Sequence, residues 1–150
     1  TTGGTASGPV DLVRRALTAT GGSTLIDTVA VRPGHPMLLG QWAQPAARWL
    51  VGLPGNPQAA VVALLTLALP LLDGLNGLPL AALGTRTCTE SVSSHGAKTR
   101  LVACSSDGRS CRPTAHIGSG MLRGLSAADG FAVIPAGGAN TGDEVDWLAL

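Results

Sequence analysis

A five-residue junction, Leu53-Pro54-Gly55-Asn56-Pro57, stands between a strand-like run, Arg48 to Gly52, and an apolar run from Gln58 to Leu72. A simple turn needs neither of its prolines. Proline fixes the backbone in advance, and glycine lets another group approach the main chain closely. Such a loop is stiff because it has a shape to keep. The helix that follows presents unpaired N–H groups and the positive end of its dipole to whatever lies in front of it.

The chain opens on a second segment of this kind. TTGGTASGP leads into a helix expected from Pro9 to Ala19. Its apolar positions Leu12, Val13, Ala16 and Leu17 share one face, Arg14 and Arg15 fall on the other, and Gly21-Gly22 stop it. Strands are expected over Thr24 to Val31, Met37 to Gly40 and Arg48 to Gly52. Strands alternating with helices imply an α/β domain with parallel pairing. Parallel strands would bring both loops to one sheet edge, where open α/β sheets keep their ligand crevices. The ligand class such helix tips favour is an oxyanion. Neither segment is a P-loop or a GxGxxG fingerprint, and the alternative is that both are plain helix starts.

Other candidates lie close by in sequence. Arg32 and His35 flank Pro33-Gly34, and a fixed guanidinium is a good bidentate partner for a tetrahedral anion, although a solvated loop cation has the same appearance. Asp11, in the first turn of the first helix, can ligate Mg²⁺ or take a proton; it also simply complements the dipole.

Beyond Leu72 the texture changes. DGLNGLPLAALG reads as a linker, followed by a β-rich module with a hairpin from Lys98 to Thr114, a short helix at Gly120 to Leu125, and strands at Gly130 to Ile134 and Asp143 to Leu150. His95 and His116 have no matching ligands nearby in sequence and are read as structural. The apolar run Gln58 to Leu72 is about fifteen residues long and contains Pro70, whereas a bilayer span takes about twenty, so a buried helix is expected and no membrane. Ten scattered Lys and Arg residues against nine acids, with 3% aromatics, argue against a nucleic acid partner. Cys88, Cys104 and Cys111 form no CxxC pair and are odd in number, the pattern of a reduced, cytoplasmic chain.

Four motifs in register carry a family resemblance. TTGGTASGPVD, VRPGHP, GLPGNP with its apolar helix, and SGMLRGLSAADGFAVIP followed by GDEVDWLAL resemble the molybdopterin molybdenumtransferases, the MoeA and gephyrin E-domain family, over nearly the whole chain. The resemblance implies part of a molybdopterin-binding parallel-sheet α/β domain over residues 1–83 and a small β-rich C-terminal domain over 84–150. It implies Mg²⁺-dependent insertion of molybdate into adenylylated molybdopterin with release of AMP, the closing step of molybdenum cofactor synthesis, by a homodimer. Carried over by motif, Gly3, Gly4, Ser7, Arg32, His35, Pro54, Gly55, Asn56 and Pro57 bind substrate, while Asp11 is catalytic and holds the metal. Family members have N-terminal domains and the first half of the α/β domain ahead of TTGG, so the chain reads as a piece of something longer.

Departures from the family pattern bear on activity. The second motif usually reads KPGKP; Arg32 keeps the first charge, whereas His35 is largely neutral at pH 7. Ala6 and Ala59 stand where serine is usual, leaving Ser7 as the substitute hydroxyl. Losing a hydrogen bond to a charged ligand costs roughly 1.5 to 3 kcal/mol. The alternative function is therefore a catalytically decayed or truncated paralog acting as a binding or scaffold module.

Overall fold

The computed structural model describes residues 1–5, 8, 12–94, 96–115 and 122–150. In chain order the elements are α1 (Val13–Ala19), β1 (Ser23–Asp27), β2 (Val31–Arg32), β3 (Leu38–Trp42), β4 (Arg48–Gly52), α2 (Pro57–Ala63), a π-turn (Leu64–Ala68), α3 (Leu69–Leu75), β5 (Gly84–Cys88), β6 (Thr99–Ser106), β7 (Ser110–Pro113), α4 (Leu122–Leu125), β8 (Gly130–Ile134) and β9 (Glu144–Ala149). They fall into two units, Thr1–Val29 with Gly34–Pro79, and Ala30–Pro33 with Leu80–Leu150.

The first unit is α/β, but its strands correct the expectation of parallel pairing. β1, β3 and β4 form an antiparallel sheet in the order β1-β3-β4. The reason is the length of the connections. Residues 43–47 alone join β3 to β4, and a parallel return needs a crossover of a dozen residues or more. Parallel pairing survives at one bridge, Thr2 with Leu53, beyond the end of β4.

The single strand expected over Thr24 to Val31 is two strands in two sheets. Thr28 has a left-handed backbone, φ 70°, and its amide donates to the Met37 carbonyl, ending β1. The chain then crosses to the second unit, where Val31 and Arg32 pair in parallel with Thr99 and Arg100, and returns.

The apolar helix is longer than its composition suggested, running nineteen residues over Pro57–Leu75. By length and composition it could cross a membrane. One stripe, Gln58, Ala59, Val62, Ala63 and Leu67, is nevertheless buried within the first unit, while Leu64, Leu69, Leu72 and Leu75 are exposed. Pro70 cannot donate back to the preceding turn, and the helix widens into the π-turn immediately before it.

The second unit is a small closed sheet. β6, β7, β5, β9 and β8 follow one another, and β8 returns to pair with β6. Its interior gathers Val102, Ala132, Ile134, Val145 and Trp147 around the three cysteines, all of them free thiols. Burial pushes the Cys104 thiol up to about 12, and burial beside Cys111 raises Cys88 as well. The expected hairpin is β6–β7, closed by Asp107, whose carboxylate accepts from the amides of Arg109 and Ser110. His95 and His116 lie outside the described residues.

Candidate functional site

The two glycine-rich loops meet. β4 delivers the chain to Leu53, whose amide donates to the Thr1 carbonyl at 2.9 Å; the Gly3 amide donates to the Leu53 carbonyl at 2.9 Å. The Thr2 hydroxyl donates to the Pro54 carbonyl at 3.4 Å. The contact continues past the bridge, because a methyl placed on Gly55 would stand 3.5 Å from the Cα of Gly3.

Each loop has a reason for its residues. Gly3 and Gly4 are both left-handed, φ 76° and 66°, a conformation that costs an ordinary residue about 1 to 2 kcal/mol. Thr5 then turns inward and is 1% exposed. It packs where a Cβ on Gly52 would lie, 2.7 Å from the threonine methyl, so the glycine at the end of β4 makes room for the first loop.

In the second loop Asn56 caps the helix, its Oδ1 accepting from the Ala59 amide at 3.2 Å, while its carbonyl accepts from Ala60. The same side chain that the sequence reading placed on the ligand thus caps the helix through its oxygen. Pro57 has no N–H. What the helix tip still offers is the Gln58 amide, which, like the amides of Gly4 and Gly55, makes no hydrogen bond among the described residues. These donors, on two loops in contact, suit an anion with several oxygens. Gln58 itself is 3% exposed, and its Oε1 is buried with no hydrogen-bond partner among the described residues.

The remaining candidates lie on other segments. His35 is exposed and its Nδ1 lies 2.7 Å from the Val29 carbonyl, so that nitrogen carries a proton and is engaged; Val29 in turn donates its amide to the His35 carbonyl. Arg32 lies on β2, in the sheet of the second unit, with an exposed side chain. The reason is the break at Thr28, which sends the chain across. Asp11 and Ser7, with Ala6, lie outside the described residues. Among the described residues no three His, Cys, Asp or Glu side chains gather as metal ligands.

Sequence reasoning missed Arg14. Periodicity assigned it to the outer face of α1, yet its Nη1 donates to the Thr5 carbonyl at 2.7 Å and its Nε to Asp27 Oδ1 at 2.8 Å. No local pattern pairs residues thirteen apart across a helix and a strand.

Comparison with known proteins follows the same division. A family model described as "Probable molybdopterin binding domain" matches residues 1–74, and one described as "MoeA C-terminal region (domain IV)" matches residues 85–150. The chain is 36% identical over 76 residues to a molybdopterin molybdenumtransferase of Nostoc sp., and 34% identical over 77 residues to one of Haemophilus influenzae. Each match takes in 51% of this chain but 17% and 18% of those relatives, so the chain corresponds to a minor part of their length. Among solved structures, a molybdopterin biosynthesis MoeA protein of Pyrococcus horikoshii superimposes with a TM-score of 0.68 over 85% of this chain and 32% of its own, at 17% identity. A molybdenum cofactor biosynthesis protein of Pyrococcus furiosus does so at 0.68 over 93% and 54%, at 20% identity. At these identities the superpositions speak for the fold.

Proposed function

Because the chain belongs to the MoeA-like family of molybdopterin molybdenumtransferases, we propose that it acts in the closing step of molybdenum cofactor synthesis, the insertion of molybdate into adenylylated molybdopterin with release of AMP. The observation that carries this reading is the contact between the two loops through Gly3 and Leu53. Both the nucleotide phosphate and molybdate are oxyanions, and both ask for fixed N–H donors. The amides of Gly4, Gly55 and Gln58 supply them without needing to reorganise.

The chemistry is positional. Left-handed glycines and flanking prolines hold the loops in shape before the ligand arrives, so binding orders little and the anion meets dipoles already aimed. Asp11 is the residue proposed to hold Mg²⁺, which would neutralise phosphate charge when bound. Arg32 and His35 stay candidate anion partners on their own chemistry. A cytoplasmic homodimer is the proposed working form, with buried, reduced thiols in keeping with that compartment.

Asp11→Ala in the full-length protein should abolish rescue of a strain lacking molybdenumtransferase activity; undiminished rescue removes Asp11 from the mechanism. The second reading, a scaffold that has lost turnover, is favoured by Ala6, Ala59 and the engaged ring of His35. Calorimetric titration with molybdate and with adenylylated molybdopterin separates the two, since a scaffold without the site gives no heat beyond mixing.

A further inference from the structure

We propose that Arg14, braced by Asp27, is the positioning residue that sets the first glycine-rich loop; its value to anion binding rests on the functional reading above, its tether does not. Arg14 sits in the first turn of α1, where a cation opposes the helix dipole. The unfavourable placement is offset from outside the helix. Nε and Nη2 both donate to Asp27 Oδ1 on β1, while Nη1 donates to the Thr5 carbonyl. Its side chain is 20% exposed, that of Asp27 54%.

The bond to Thr5 falls where it controls most. Gly3 is fixed to Leu53, and Thr5 is wedged against Gly52; between them Gly4 makes no main-chain bond among the described residues. Arg14 holds the Thr5 carbonyl, and with it the end of the Gly3-Gly4 turn. Charge pairing gives Asp27 its part, since a planar fork held on one edge points its remaining N–H predictably. Glycine permits the turn, but glycine alone does not select it.

Amide exchange and molybdate titration on the same full-length samples test this. Arg14→Ala and Asp27→Ala should each speed exchange at Gly3 and Leu53, whose amides carry the loop contact, by about tenfold or more while β3 amides keep their protection, and should each weaken molybdate binding about tenfold. The double variant should be no worse than either single one, and Arg14→Lys, which can reach one partner but not both, should restore part of the protection. Unchanged exchange in both single variants, or additive effects, overturns the proposal. If Arg14→Ala does not fold, Asp27→Asn, altering a half-exposed carboxylate, decides by the same two readouts. Should the unaltered protein take up no molybdate, the functional reading fails, and the exchange data still settle the tether.

Discussion

The amide of Gly3 donates to the carbonyl of Leu53 across 2.9 Å, and this bond makes neighbours of two loops fifty residues apart. Without it, each would be an ordinary helix approach. With it, donors of both stand on segments in contact, and the glycines at 3, 4 and 55 have a common explanation in closeness and handedness.

Gly55→Ala separates fold from binding. The added methyl meets the Cα of Gly3 at 3.5 Å, an ordinary contact, and φ is not left-handed, so stability should hold or rise by up to about 1 kcal/mol through the unfolded chain. The same methyl occupies the seam between the loops, and molybdate affinity should fall. Thermal melts beside calorimetry check both halves. A variant that melts lower and binds as before would contradict the packing described.

Asn56 gives a sharper contrast. Asn56→Ala removes the cap and should cost about 1 kcal/mol by chemical denaturation. Asn56→Asp keeps a capping oxygen and adds charge that the helix N-terminus favours, so stability should be retained. That charge also repels an oxyanion. The prediction is an Asp variant as stable as the parent and deaf to molybdate.

The thiols of the second unit predict an alkaline weakness. Burial raises Cys104 to about 12 and also raises Cys88 and Cys111, all from an ordinary 9.0. A thiol whose folded pKa is raised contributes stability present below the unfolded value and lost as pH climbs toward the folded one. Unfolding midpoints should therefore fall above pH 9 and be flat below it. Iodoacetamide at pH 8 should leave all three native thiols intact and label them in denaturant. Rapid native labelling would contradict their burial.

Gly130 tests the core of the same unit. A Cβ there would lie 2.4 Å from the Trp147 ring and 2.6 Å from the Leu148 carbonyl, and the backbone atom cannot step aside by changing rotamer. Gly130→Ala should destabilise by about 1 to 3 kcal/mol, seen as an earlier denaturant midpoint with the first unit's amide protection unchanged.

Much of this was legible from residue types. Turn chemistry marked both loops, the strand Arg48–Gly52, the hairpin around Asp107 and the strand Gly130–Ile134, because each is encoded by its own residues. Strand direction was not, since alternation is the same in parallel and antiparallel strands, and only the short link after β3 excludes the former. The break at Thr28 was hidden inside a continuous β-favouring run; bonds to Met37 and His35, distant in period, produce it. Arg14 shows the same limit at the site. A helical wheel says which face a residue occupies, not what another element brings to it, and so an arginine read as solvated holds a loop.

Backbone amide spectra of ¹⁵N-labelled protein titrated with molybdate test the proposed common anion site of the two loops most directly. The account predicts that Gly4, Gly55 and Gln58 shift together along one saturable curve with a single Kd. Movement of one loop's amides alone, or two curves with different midpoints, would contradict it.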